Sequence, residues 1–221
     1  MDDLIFTFTQ RQYELFLQIQ EQSQKERVAI EFDFTISSYT DHFSSKMGDI
    51  FTSITEESER LLELEERGNV FSTFLSSKKI AELTPIFYDV TDKIEALRSN
   101  MYILASDISK ELSKWQGHEN AANEKYALFL PYKAALSESP DYGVKIVEVE
   151  RQYFSAVDLI TKRKEDLIAL LCTIGAVCDR LIPDFLEEIA LAADMPRFEK
   201  FSDRAFFSSV RNFIQRIKAY K

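Results

Sequence analysis

An all-α fold built from long antiparallel helices is what three features of the sequence predict. Glycine and proline number five each in 221 residues, where average usage would supply about 26, so folds rich in tight turns are excluded. From Pro85 onward apolar residues recur at steps of three and four, the spacing of a coiled-coil seam. A hydrophobic share of 45% argues for an ordered core, and no run of ~18 uncharged apolar residues marks a membrane span. The chain, 1–221, reads as a single helical domain, a long, kinked, antiparallel three-helix coiled coil.

The first helix is expected over about 9–68. Ile36, Tyr39, Phe43, Met47, Ile50, Ile54, Leu61 and Leu64 fit helical steps, and Gly68-Asn69 supplies a C-terminal stop. Within it, Val28, Ile30, Phe32, Phe34 and Ile36 alternate as a half-buried strand would, echoed by Phe6 and Phe8. Helix is preferred over strand for 28–36, because a strand needs partners that the remaining sequence does not offer. The second helix is expected over about 84–136. Thr84 caps it, Pro85 sits in its first turn, and its seam is Val90, Ile94, Leu97, Met101, Leu104, Ile108, Leu112 and Trp115. Pro131 is a candidate kink. A turn at Ser137–Gly143 leads to the third helix, about 142–195. Its seam is Ile146, Val149, Tyr153, Val157, Ile160, Lys164, Leu167, Leu171, Ile174, Cys178 and Leu181, with Lys164 as the one charged interruption. So short a connection makes the two helices antiparallel. Pro183 should bend the third helix and Asp194-Met-Pro196 should break or sharply kink it, before an amphipathic continuation over 197–220 carrying Phe206, Phe207, Val210, Phe213, Ile214 and Ile217.

Charge is unevenly spread. The net value is −10, which disfavours the footprint of a nucleic-acid binder. Residues 1–70 carry six bases and 15 acids, whereas 197–221 carry seven bases and two acids. The acidic run Glu56, Glu57, Glu59, Glu63, Glu65 and Glu66 spreads around a helix and reads as a solvated or partner-facing side. Cys172 and Cys178 lie too far apart around a helix to bridge each other and read as reduced, buried thiols. The N-terminus has acids where a signal peptide or presequence needs bases, which leads to the expectation of a cytoplasmic protein.

Catalytic signatures are sparse. Neither His42 nor His118 belongs to a metal-ligand motif, and no Walker loop, Gly-x-Gly-x-x-Gly or Gly-x-Ser-x-Gly occurs. The expectation is a non-enzymatic protein with no cofactor, no metal and no catalytic residue. Lys162-Arg163-Lys164 is a basic cluster beside Glu165 and Asp166, read first as a surface with local ion pairs. The tail bases Arg197, Lys200, Arg204, Arg211, Arg216 and Lys218 accompany an apolar face suited to core or dimer packing. Trp115, at the end of a heptad seam, reads as core or interface.

Two passages carry a resemblance. Lys114-Trp115-Gln116 followed by His118-Glu119-Asn120-Ala121 resembles the second helix of sorting-nexin BAR domains, where a Trp-Gln step precedes the distal tip. Arg197-Phe198-Glu199-Lys200 with Phe206, Val210 and Phe213-Ile214 resembles their third helix, and Pro140-Asp141 falls where the tip would be. The resemblance implies a dimer, formed with itself or with a related helical protein, that senses or scaffolds curved endosomal or vesicular membranes. It implies anionic lipid contacts through Lys125, Lys133, Lys162, Arg163 and Lys164 on the arms and Arg204 and Arg211 nearer the body. It also implies a seam of Leu104, Ile108, Leu112, Trp115, Phe206, Val210 and Phe213 in core or dimer packing. A coiled-coil adaptor subunit without a membrane role suits the acidic N-terminal third better. A helical pore-forming toxin is a third reading, with 28–36 as its tongue.

Overall fold

The computed structural model describes residues 32–36, 41–70, 77–136, 143–193 and 204–220. Every regular element among them is helical: α1 (Phe43–Val70), α2 (Ser77–Leu136), α3 (Gly143–Ala176), a π-helical turn (Val177–Leu181), α4 (Ile182–Ala193) and α5 (Arg204–Ala219). The chain divides into two compact units. A hairpin unit combines 32–36 with 110–168, and a bundle unit combines 41–109 with 169–221.

In the bundle unit, Asp41 starts α1. Its carboxylate accepts the Phe43 N–H at 3.0 Å and the Ser44 N–H at 3.4 Å, satisfying helix-end donors and placing negative charge at the positive end of the helix dipole. The first helix therefore begins at residue 43, and 32–36 is neither helix nor strand, which corrects the expectation of one helix through that segment; residues 9–31 and 37–40 lie outside the described residues. Buried α1 side chains are Phe43, Met47, Phe51, Ile54, Thr55, Ser58, Leu61 and Leu64. The two hydroxyls are tolerated because each donates back one turn, Thr55 to Phe51 O at 2.9 Å and Ser58 to Ile54 O at 2.7 Å.

The remaining bundle helices follow from their partners. Arg60 meets Asp89 while Glu57 meets Lys93, so α1 and α2 run antiparallel. Glu65 pairs with Arg211 and Glu59 with Lys218, which makes α5 antiparallel to α1. Glu188 accepts from Ser209, and Phe185 stacks on Phe213 with ring centroids 3.8 Å apart, so α5 also runs opposite to α4. The expected continuation of the third helix over 197–220 is thus, over 204–219, a separate returning helix. The expected break at Asp194–Pro196 lies outside the described residues.

Four local expectations about proline and glycine meet the structure here. α2 begins at Ser77, so Thr84 and Pro85 lie inside the helix; Lys78, Lys79, Ala81, Glu82 and Leu83 are good helix formers and carry it past the proline. α2 also runs through Pro131 to Leu136. Pro183 is answered upstream: in the π turn the Ile182 N–H bonds to Val177 O, five residues back, a register shift just before the residue that has no N–H to give. α1 continues past Gly68 to Val70.

In the hairpin unit, Tyr126 bonds Glu150 and Asn123 bonds Tyr153, the antiparallel register expected for α2 and α3; the turn at 137–142 lies outside the described residues. The α3 seam runs Ile146, Val149, Tyr153, Ala156, Ile160, Arg163 and Leu167, all buried except half-buried Tyr153. This shifts the expected register after Tyr153. Ala156 replaces Val157 and Arg163 replaces Lys164, so the charged interruption is Arg163.

Candidate functional site

The residues singled out for lipid contact are distributed across both units. In the hairpin unit Lys125 is buried at 5% exposure, donates to the Asp33 carbonyl oxygen and lies 4.9 Å from the centre of the Phe34 ring. Burial pushes its ammonium below the usual lysine range. Arg163 is equally buried. Both fall on the helix seam rather than on a solvent face, which corrects their assignment to a lipid-facing surface. Lys133 pairs with Glu150 at 2.5 Å and Lys164 with Glu119 at 2.6 Å. Those bonds hold the Glu150 and Glu119 carboxyls below the ordinary carboxylate range. Lys162 is exposed on α3.

In the bundle unit the tail bases meet the acidic front of the chain. Arg211 pairs with Glu65, and Lys218 with Glu59 at 3.0 Å. Glu57 and Asp89 bracket Arg60 at 2.5 and 2.7 Å, with Lys93 at 3.5 and 3.3 Å from the same two acids. Part of the acidic run of α1 therefore faces α2 and α5 within the chain. Glu57 and then Asp89 raise the Arg60 guanidinium above its ordinary value. Arg204 opens α5.

The seam residues are packed within one chain. Leu104, Ile108, Val210 and Phe213 are buried in the bundle unit, where Phe206 is half-buried against Phe87. Trp115 is fully buried in the hairpin unit, its Nε1–H donating to Glu111 at 3.2 Å, and Leu112 is half-buried.

Sequence reasoning missed two features. Phe32, Phe34 and half-buried Ile36 pack onto Ala122, Phe129, Ile146, Val149 and Ala156; the alternation of apolar residues is the signal, and it marks a strap lying on two helices where a helix is expected. On α3, Val144, Val147 and Phe154 are exposed at 83%, 64% and 54%. At spacings of three and seven they share one face, a pattern eclipsed in the sequence by the stronger seam beside it.

Among the described residues no helix is long and apolar enough to cross a membrane, and no group of three or more His, Cys, Asp or Glu is placed to hold a metal ion. Comparison with protein-family models, curated proteins and solved structures finds no match for this chain.

Proposed function

We propose that the chain is a non-catalytic helical scaffold, an adaptor subunit that works by joining a second helical protein, either a copy of itself or a related chain. The observation that carries this reading is the disposition of its basic residues. Lys125 and Arg163 are buried, and Lys133, Lys164 and Arg211 direct their charge at Glu150, Glu119 and Glu65. Attraction to an anionic surface is a sum of about 1 kcal/mol per unneutralised base near that surface, and paired bases bring an acid with them. The exposed stripe of Val144, Val147 and Phe154 offers contact of the other kind, apolar and insensitive to salt.

A membrane-curvature dimer of BAR type is the second reading, favoured by the antiparallel pairing of α2 with α3. It would rest its lipid contact on exposed Lys162. Co-sedimentation with phosphatidylserine vesicles, at low and at physiological ionic strength, separates the two. The scaffold reading expects the protein in the supernatant at both, with a solution mass above the chain's 25.7 kDa where the second protein is a copy of itself. Binding that fades with salt and is abolished by Lys162→Glu would reverse the order of the two readings.

A further inference from the structure

Residues 32–36 behave as a ligand that the hairpin unit already holds. Phe32 and Phe34 enter from alternate positions at 2% exposure each, while Thr35 between them and Ile36 stays exposed. Phe32 meets Phe129 edge-on at 5.2 Å, and Phe34 meets Tyr153 at 5.5 Å. Lys125 reads the backbone between the two rings by donating to the Asp33 carbonyl, and its ammonium also lies over the Phe34 ring. The segment supplies part of its own local order, since the Thr35 N–H donates to the Asp33 carboxylate at 2.7 Å. Without this strap the groove would expose the aromatic face of α2 and α3. It would also remove from the Lys125 ammonium the carbonyl and the ring that now cover it.

We propose that the α2–α3 groove of the hairpin unit is a recognition site for extended peptides of the form Phe-x-Phe, and that residues 32–36 occupy it in cis and thereby mask it. The occupant that displaces them is an extended segment of a partner protein presenting two alternate aromatic side chains with a carbonyl between them for Lys125. Exchange of the strap between two copies would recreate the same contacts and gain none, whereas a partner segment with a closer fit gains directly. Because the cis segment is tethered, it competes at an effective concentration of order millimolar, so a free peptide meets a largely filled groove. The inference does not depend on the scaffold reading or on any membrane role.

The test uses the full chain carrying Phe32→Ala and Phe34→Ala and a fluorescent synthetic peptide spanning residues 29–37. Saturable binding to this variant, tighter by about tenfold or more than to the native chain, is the expected result, with none for a peptide in which both phenylalanines are alanine. Equal affinity for native and variant chains, or no binding by a variant that keeps its helical circular dichroism, overturns the proposal. If the variant loses its helical signal, the native chain decides: the same peptide with benzoylphenylalanine in place of Phe34 should photocrosslink near Lys125, Phe129 or Tyr153, and crosslinks elsewhere or none refute the site. Dimers between native and variant chains without peptide binding would overturn the partner reading in favour of exchange between copies.

Discussion

Cys178 and Cys172 have the same chemistry and opposite surroundings. Cys178 is fully buried in the bundle unit, and desolvation pushes its thiol up to about 11, whereas Cys172 is exposed on α3, which corrects the expectation that both thiols are buried. Since the thiolate is the nucleophile, a maleimide or disulfide reagent at about pH 8 should label Cys172 in the native protein and reach Cys178 only after denaturant is added. Mass spectrometry of the digested adduct reads this directly; rapid native labelling of Cys178 would mean that the core around the π turn opens. Residue-level burial was only partly legible in the sequence. Heptad spacing identifies Met101, Leu104, Ile108 and Trp115, but it places Lys164 in the seam where the structure has Arg163, the adjacent base on the same helix. That choice depends on the exact rotation of α3 against α2, which is set by packing around Tyr126 and Tyr153, stacked at 3.9 Å.

At the scale of the elements, charge complementarity guides how α5 returns onto α1. Antiparallel docking places Arg211 at Glu65 and Lys218 at Glu59, and the apolar faces that carry Val210, Phe213 and Ile217 are buried by the same alignment. Exposed pairs of this kind are worth about 0–1 kcal/mol each and are screened by salt, so orientation rather than stability is their main contribution. Arg211→Glu should lower stability by up to about 1 kcal/mol, and adding Glu65→Arg should recover most of it, measured as a double-mutant cycle in urea. In the hairpin unit, α2 and α3 are joined by Lys133–Glu150 and Lys164–Glu119. A carboxyl held below its ordinary value binds its proton less readily folded than unfolded, so its contribution is complete above the unfolded value and is lost as pH falls through the lowered one. Acidification below about pH 4.5 should therefore weaken the hairpin unit. Substituting both acids by glutamine should flatten that acid limb in thermal melts; an unchanged limb would remove these pairs from the account.

The pattern of the described helices is legible because 3.6-residue periodicity survives over long stretches. How the helices group is not. Seam spacing continues through residues 109 and 168, where the chain changes unit, since an apolar stripe carries no mark of which neighbour covers it. The expectation of a helix at 32–36 fails for a related reason: alternation marks one buried face, and helix is preferred there only because no sheet partner is in sight, whereas the face is covered by two helices far away in sequence. The acidic front and basic tail, obvious in the sequence as a gradient, meet at Glu65–Arg211 and Glu59–Lys218 because α5 turns back onto α1.

The sole tryptophan of the chain, Trp115, lies in the hairpin unit at full burial, whereas helices of both units contribute to far-ultraviolet circular dichroism. Indole emission is therefore a private optical channel for one unit and ellipticity a shared one. If the two units unfold as a single cooperative block, denaturation curves followed by the two signals will superimpose; if they unfold separately, the curves will part. Because the groove filled by residues 32–36 belongs to the same unit as the indole, a ligand that occupies it should shift the emission transition first and displace the ellipticity transition only to the extent that stability is shared.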